Sequence, residues 1–132
     1  MSKNMEQLKK AIICKDVKDF RITRHLNKTY VPKAGDVAVF KVMEIGKHKA
    51  IQGDDGKNRY IFPGDYIMAA FGNRYATNQF EGYVPTEVKE VYEILGQGGC
   101  VGVLKSTHFK LKDVGPTTIK LVGYATKDKK VV

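Results

Sequence analysis

The chain has 132 residues, 42% of them hydrophobic and 28% charged, with 23 Lys and Arg against 14 Asp and Glu for a net charge of +9. This length makes one domain around one core, and the composition is that of a globular rather than a disordered chain. No apolar run approaches the roughly 18 residues that a membrane-spanning helix needs, so no membrane partner is expected.

The opening stretch MSKNMEQLKK is followed only by the apolar residues 11–14, too short for the core of a signal peptide, which leads us to expect a cytoplasmic protein. Asn4 with Gln7 three residues later forms a capping pattern, and Met5, Leu8 and Ile12 fall on one face, which predicts a short helix there. From Phe20 onward the grammar is that of strands. Short apolar or alternating runs (FRIT, VAVFKVMEI, RYIF, YIMAAF) are separated by the turn signals KAGD, DDGK and PGD. In the run after KAGD, Val37 and Val39, with Lys41 at the same parity, point one way. Ala38, Phe40 and Val42 point the other, so both faces start apolar and the strand should be central. PGD at residues 63–65 should reverse the chain.

Residues 86–95 carry two patterns at once. Val88, Val91, Tyr92 and Leu95 keep helical spacing ahead of a glycine, yet Val, Tyr and Ile also favour strands. The segment is left open between helix and strand. Further on, CVGVL and TTIKLVGYA read as strands, ATKDKK as a turn, and residues 130–132 as a further strand that stops as it begins. That abrupt stop leads us to expect that this single β-rich domain, residues 1–132, is the N-terminal domain of a longer chain. The expected fold is mainly β: a small barrel or sandwich of about six to eight short strands with one or two short helices.

Motifs for chemistry are scarce. The glycine-rich GQGGCVG, residues 96–102, lacks the Gly-Lys-Ser/Thr register of a P-loop, and the residues after it are β-branched rather than the helix a dinucleotide fingerprint requires. A bulge or a close approach of strands explains those glycines better. Cys14 and Cys100 are too few for a disulfide framework and have no Cys-x-x-Cys partner, so two reduced thiols are expected. Convergence of Cys14, His25, Cys100 and His108 on zinc is the weaker reading, because no pair keeps a metal-site spacing. Asp54 and Asp55 lie in the DDGK turn, and Asp36 and Asp65 follow glycine at strand entries, which are structural positions. No nucleophile with its base is legible and no cofactor is implied; the balance is against an enzyme.

Charge is more informative. Residues 1–33 hold nine Lys and Arg against three Asp and Glu, residues 34–104 seven against nine, and residues 105–132 seven against two. Termini of a domain usually lie on its surface and often near each other, so the two basic ends could form one positive face for phosphates or for an acidic protein surface. Against this, 19 of the 23 cations are lysines, which also serve solubility alone. The stretch FGNRYATNQFEGYVP, residues 71–85, adds aromatics, amides and an arginine at spacings that suit neither one strand face nor one helix stripe. Such a loop can stack on bases and hydrogen-bond their edges, although an ordered cap of one barrel end accounts for it as well. The candidate nucleic-acid ligands are therefore Lys9, Lys10, Arg21, Arg24, Asn73, Arg74, Tyr75, Gln79, Tyr83, Lys105, Lys110 and Lys112. The expectation is a basic β-barrel module for single-stranded nucleic acid. The alternative is a protein-interaction or regulatory domain of a larger enzyme that uses residues 71–85 as its contact surface.

Overall fold

A computed structural model describes residues 8–14, 20–46, 49–53, 55–72, 81–96, 98–106, 117–127 and 130–131, with the backbone alone at residues 81, 83, 104–106, 130 and 131. In chain order its strands are Lys9–Lys10 (β1), Arg21–Thr23 (β2), Val37–Glu44 (β3), Ala50–Gln52 (β4), Asn58–Tyr60 (β5), Tyr66–Phe71 (β6), Glu81–Tyr83 (β7), Val91–Gly96 (β8), Cys100–Ser106 (β9), Thr118–Lys127 (β10) and Lys130–Val131 (β11), with one 3-10 turn at Ile12–Cys14. The fold is the expected small β-barrel. It closes on itself as a ring of five strands, and the shorter strands are appended to it.

The strand after KAGD is central, as its two apolar faces require. β3 pairs antiparallel with β6 on one edge and with β10 on the other. Strand β10 pairs antiparallel with β8, which forms an antiparallel hairpin with β9. β9 then runs parallel to β6, through Ala70↔Cys100 and Phe71↔Val101, and closes the ring. Closure removes the exposed edges that an open sheet of these strands would present.

Period-2 alternation sorts the side chains into two cores. Ala38, Phe40 and Val42 of β3 face inward with Ile67, Tyr92, Ile94, Ile119, Leu121 and Tyr124. At the centre Phe71 meets Tyr92, Phe40 and Tyr124 with ring centroids 5.0, 5.6 and 6.2 Å apart, each pair worth about 0.5–1.5 kcal/mol beyond its buried area. Outside the barrel, Val37, Val39, Met68 and Ala70 are covered by Cys14, Leu8, Phe20 and Ile22, so the N-terminal stretch wraps one face of the ring.

That wrapping corrects one expectation. The predicted N-terminal helix is not what the described residues form: Lys9 and Lys10 lie in β1, parallel to β6 through Lys9↔Ile67 and Lys10↔Met68, and a 3-10 turn comes next. Asn4, Met5 and Gln7 lie outside the described residues. The physical reason is tertiary. β9 pairs with β6 only at Ala70 and Phe71, leaving the edge at Ile67 and Met68 to be satisfied, and Ala11 N–H duly donates to the Met68 carbonyl at 3.0 Å. Ladder bonds of this kind outweigh a weak helical periodicity.

The open segment resolves as strand. Residues 86–90 form no regular element, and β8 begins at Val91, burying Tyr92, Ile94 and Leu95. The turns form where their residue types place them. PGD closes with Asp65 N–H donating to the Phe62 carbonyl at 3.0 Å, and Gly53 N–H reaches the Lys57 carbonyl at 2.8 Å across the DDGK hairpin. Among the described residues no helix is long and apolar enough to cross a membrane.

Candidate nucleic-acid interface

The two basic ends of the chain meet on β10. Its last residues have β2 on one edge, through Tyr124↔Thr23, Ala125↔Ile22 and Thr126↔Arg21, and β11 on the other, through Thr126↔Val131 and Lys127↔Lys130. Local chemistry fixes this junction. The Thr23 and Thr126 hydroxyls are 2.7 Å apart, and the Thr126 hydroxyl also donates to the Arg21 carbonyl at 3.3 Å. Asn27 ties the chain beyond β2 back to β10 by donating from Nδ2 to the Val122 carbonyl at 2.9 Å. At Gly123 a Cβ would lie 2.7 Å from Ile22 Cγ2 and 2.9 Å from the Thr23 carbonyl oxygen, so glycine is what lets β2 approach. Arg21 and Lys127 are exposed. With strands about 4.8 Å apart, the Arg21 and β11 backbones stand roughly 10 Å from each other, with Thr126 between them.

The other candidates fare differently. Lys9 is committed internally: its Nζ donates to the Tyr60 carbonyl at 2.8 Å and to Asp65 Oδ2 at 2.6 Å, and stands 5.6 Å from the centre of the Phe62 ring. Lys10 is half-buried beside Met68, and Arg24 is exposed past the end of β2. Tyr83 lies in β7, its backbone opposite Val103, and Lys105 lies in β9. The end of the aromatic stretch is therefore strand rather than loop. Asn73, Arg74, Tyr75, Gln79, Lys110 and Lys112 lie outside the described residues, as does His108.

Two surface features escape a reading of the sequence. On the outer face of the barrel, Lys41 and Lys120 are direct cross-strand neighbours, flanked by Tyr66 on β6 and Val91 on β8. Both lysines are exposed, and neither has an ion-pair partner among the described residues. Like charges placed directly opposite oppose each other, by a few tenths of a kcal/mol. The alternation of VFKV and IKLV is visible in the sequence; the register that sets the two lysines side by side is not. The second feature is a pair of aromatics on and just beyond β5, Tyr60 and Phe62, which are 68% and 60% exposed.

Asp36 and Asp55 hold turns together. Asp36 Oδ2 accepts from Lys33 N–H at 2.7 Å and from the Tyr30 hydroxyl at 2.6 Å. The Lys57 N–H, helped by the Arg59 guanidinium, holds the Asp55 carboxyl below its usual range. Burial pushes the Cys14 thiol up to about 12, with Lys10 opposing the shift. Among the described residues no three His, Cys, Asp or Glu side chains gather as a metal site would require. No protein-family model, curated protein or solved structure matches this chain.

Proposed function

We propose that this chain is a β-barrel module that binds single-stranded nucleic acid, with the junction of β2, β10 and β11 as its phosphate-contacting surface. The observation that carries the reading is the meeting of the ends. Segments with surpluses of six and five positive charges, separated in sequence by a slightly acidic middle, are joined by the two ladders on Thr126. Arg21 shares the Thr126 face of this ladder and Lys127 the opposite one, so a polyanion that passes over the end of the ladder meets cations from both faces and releases its counterions there.

The connectivity supports the same reading by analogy. Around the ring the order is β10, β3, β6, β9, β8 and back to β10, with the single parallel pair at β6 and β9. Moving β10 to the front of the chain turns this into the five-stranded Greek-key barrel of the OB-fold, whose members bind oligonucleotides and oligosaccharides. Fold analogy does not locate a site. In that fold the second and third strands carry the ligand, and here their counterparts β3 and β6 are partly covered by the chain's own N-terminal stretch. The contacts therefore fall at the β10 junction, beside the covered face.

Fluorescence anisotropy of labelled single-stranded RNA and DNA at two salt concentrations tests the proposal. Micromolar or tighter binding that weakens steeply with salt is the expected result. Absence of binding at low salt would overturn it and turn attention to an acidic protein partner.

A further inference from the structure

We infer that the β4–β5 hairpin carries a stacking platform for unpaired bases, formed by Tyr60 and Phe62; this rests on the nucleic-acid reading and assigns it a second contact site. The hairpin forms a two-stranded sheet of its own. Its register, Ala50↔Tyr60, Ile51↔Arg59 and Gln52↔Asn58, puts Ile51 on the barrel side, where it and Ile61 join the inner core. Tyr60 therefore stands on the opposite face, and the residue across from it is alanine, too small to cover a ring. Tyr60 and Phe62 remain 68% and 60% exposed, while Gln52 and Asn58 put two amides on the same face as Tyr60.

The backbone that carries the rings is anchored. Asp65 Oδ2 accepts from Phe62 N–H at 2.9 Å and from Lys9 Nζ at 2.6 Å, and the same Nζ donates to the Tyr60 carbonyl at 2.8 Å. One buttress thus fixes the backbone that bears both aromatics, which lowers the ordering cost of any ligand that lies on them. The charge around them favours an anionic occupant. Lys9 pairs with Asp65 and Arg59 with Asp55, which leaves Lys49 and Lys57 as the hairpin's surplus cations among the described residues. Exposed rings on a hairpin with a net positive charge match the bases of a single strand, since every base offers a π-face irrespective of sequence.

The test compares binding of a 2-aminopurine-labelled single-stranded oligonucleotide to the wild type, to Tyr60→Ala/Phe62→Ala and to Tyr60→Phe/Phe62→Tyr, over a series of salt concentrations. Circular dichroism confirms that each variant is folded. The alanine pair should bind about tenfold or more weakly per stacked base and lose the 2-aminopurine quenching, with the salt dependence unchanged, because stacking is removed and phosphate contacts are not. The ring-preserving pair should bind as the wild type does. Wild-type binding that persists undiminished in the alanine pair would overturn the platform and leave the β10 junction standing. A wild type that binds no single strand would overturn the proposed function, and the platform with it.

Discussion

Gly99→Ala is the substitution whose cost the structure specifies best. Gly99 sits in the turn between β8 and β9 at φ +104°, a conformation that side chains rarely adopt, and a Cβ built there would lie 2.3 Å from the Ala11 Cβ. Carbon atoms do not approach so closely, so either the turn or the stretch around Ala11 must withdraw by more than an ångström. The backbone strain alone costs about 1–3 kcal/mol. Withdrawal also breaks bonds that tie the N-terminal stretch to the barrel, from Ala11 N–H to the Met68 carbonyl and from Ile13 N–H to the Gly98 carbonyl, each worth about 1 kcal/mol. The sum is roughly 3–5 kcal/mol. Gly98→Ala is the internal control, because its Cβ would meet only Ile12 Cγ2 at 3.8 Å, an ordinary separation. Urea unfolding of both variants against the wild type measures the difference. If Gly99→Ala were no less stable than Gly98→Ala, the glycines of residues 96–102 would not serve close packing, and a ligand-binding role for that turn would have to be reopened.

Other consequences can be measured on the same protein. Cys14 is fully buried and its thiol is raised to about 12, so in the folded protein a thiol reagent should modify it only as fast as the chain opens, whereas denaturant should expose it at once; prompt native-state labelling at Cys14 would contradict the second core. Burial, the hydrogen bond to Asp36 and that carboxylate's charge raise Tyr30 to about 12, and burial raises Tyr92 and Tyr124 as well. All three are kept protonated by the fold, so the stability they contribute is complete below the unfolded value of 10.0 and is lost as pH rises through their raised values, which for Tyr30 is about 12. Part of the tyrosinate absorbance should accordingly appear together with loss of circular dichroism; titration of all seven tyrosines near pH 10.0 with the fold intact would refute this.

Much of the barrel is legible in the sequence because its signals are local. The turns at KAGD, DDGK and PGD announce themselves by residue type, and β3 shows its central position through two apolar faces. The features that escape are decided by partners distant in sequence. Lys9 and Lys10 carry no strand signal of their own and become strand because β6 offers an unfilled edge. Lys41 and Lys120 give no signal until a ladder joining positions 79 residues apart makes them neighbours. The convergence of the basic ends is expected from a general tendency of termini, and the threonine ladder at Thr126 supplies the mechanism. Tyr60 is passed over for the opposite reason: RYIF reads as a strand, and only the hairpin's register shows that Tyr60 faces away from Ile51 and into solvent.

The measurement that bears most directly on the proposed function is the salt dependence of single-strand binding by the wild type and by Arg21→Ala/Lys127→Ala/Lys130→Ala. Removing one cation from a phosphate should lower the slope of log K against log salt by about 0.7 for a single strand, so removing three should lower it by about 2. Binding should also weaken similarly for oligonucleotides of different sequence. A slope that is the same in the wild type and the triple variant would contradict the assignment of phosphate binding to the junction of β2, β10 and β11.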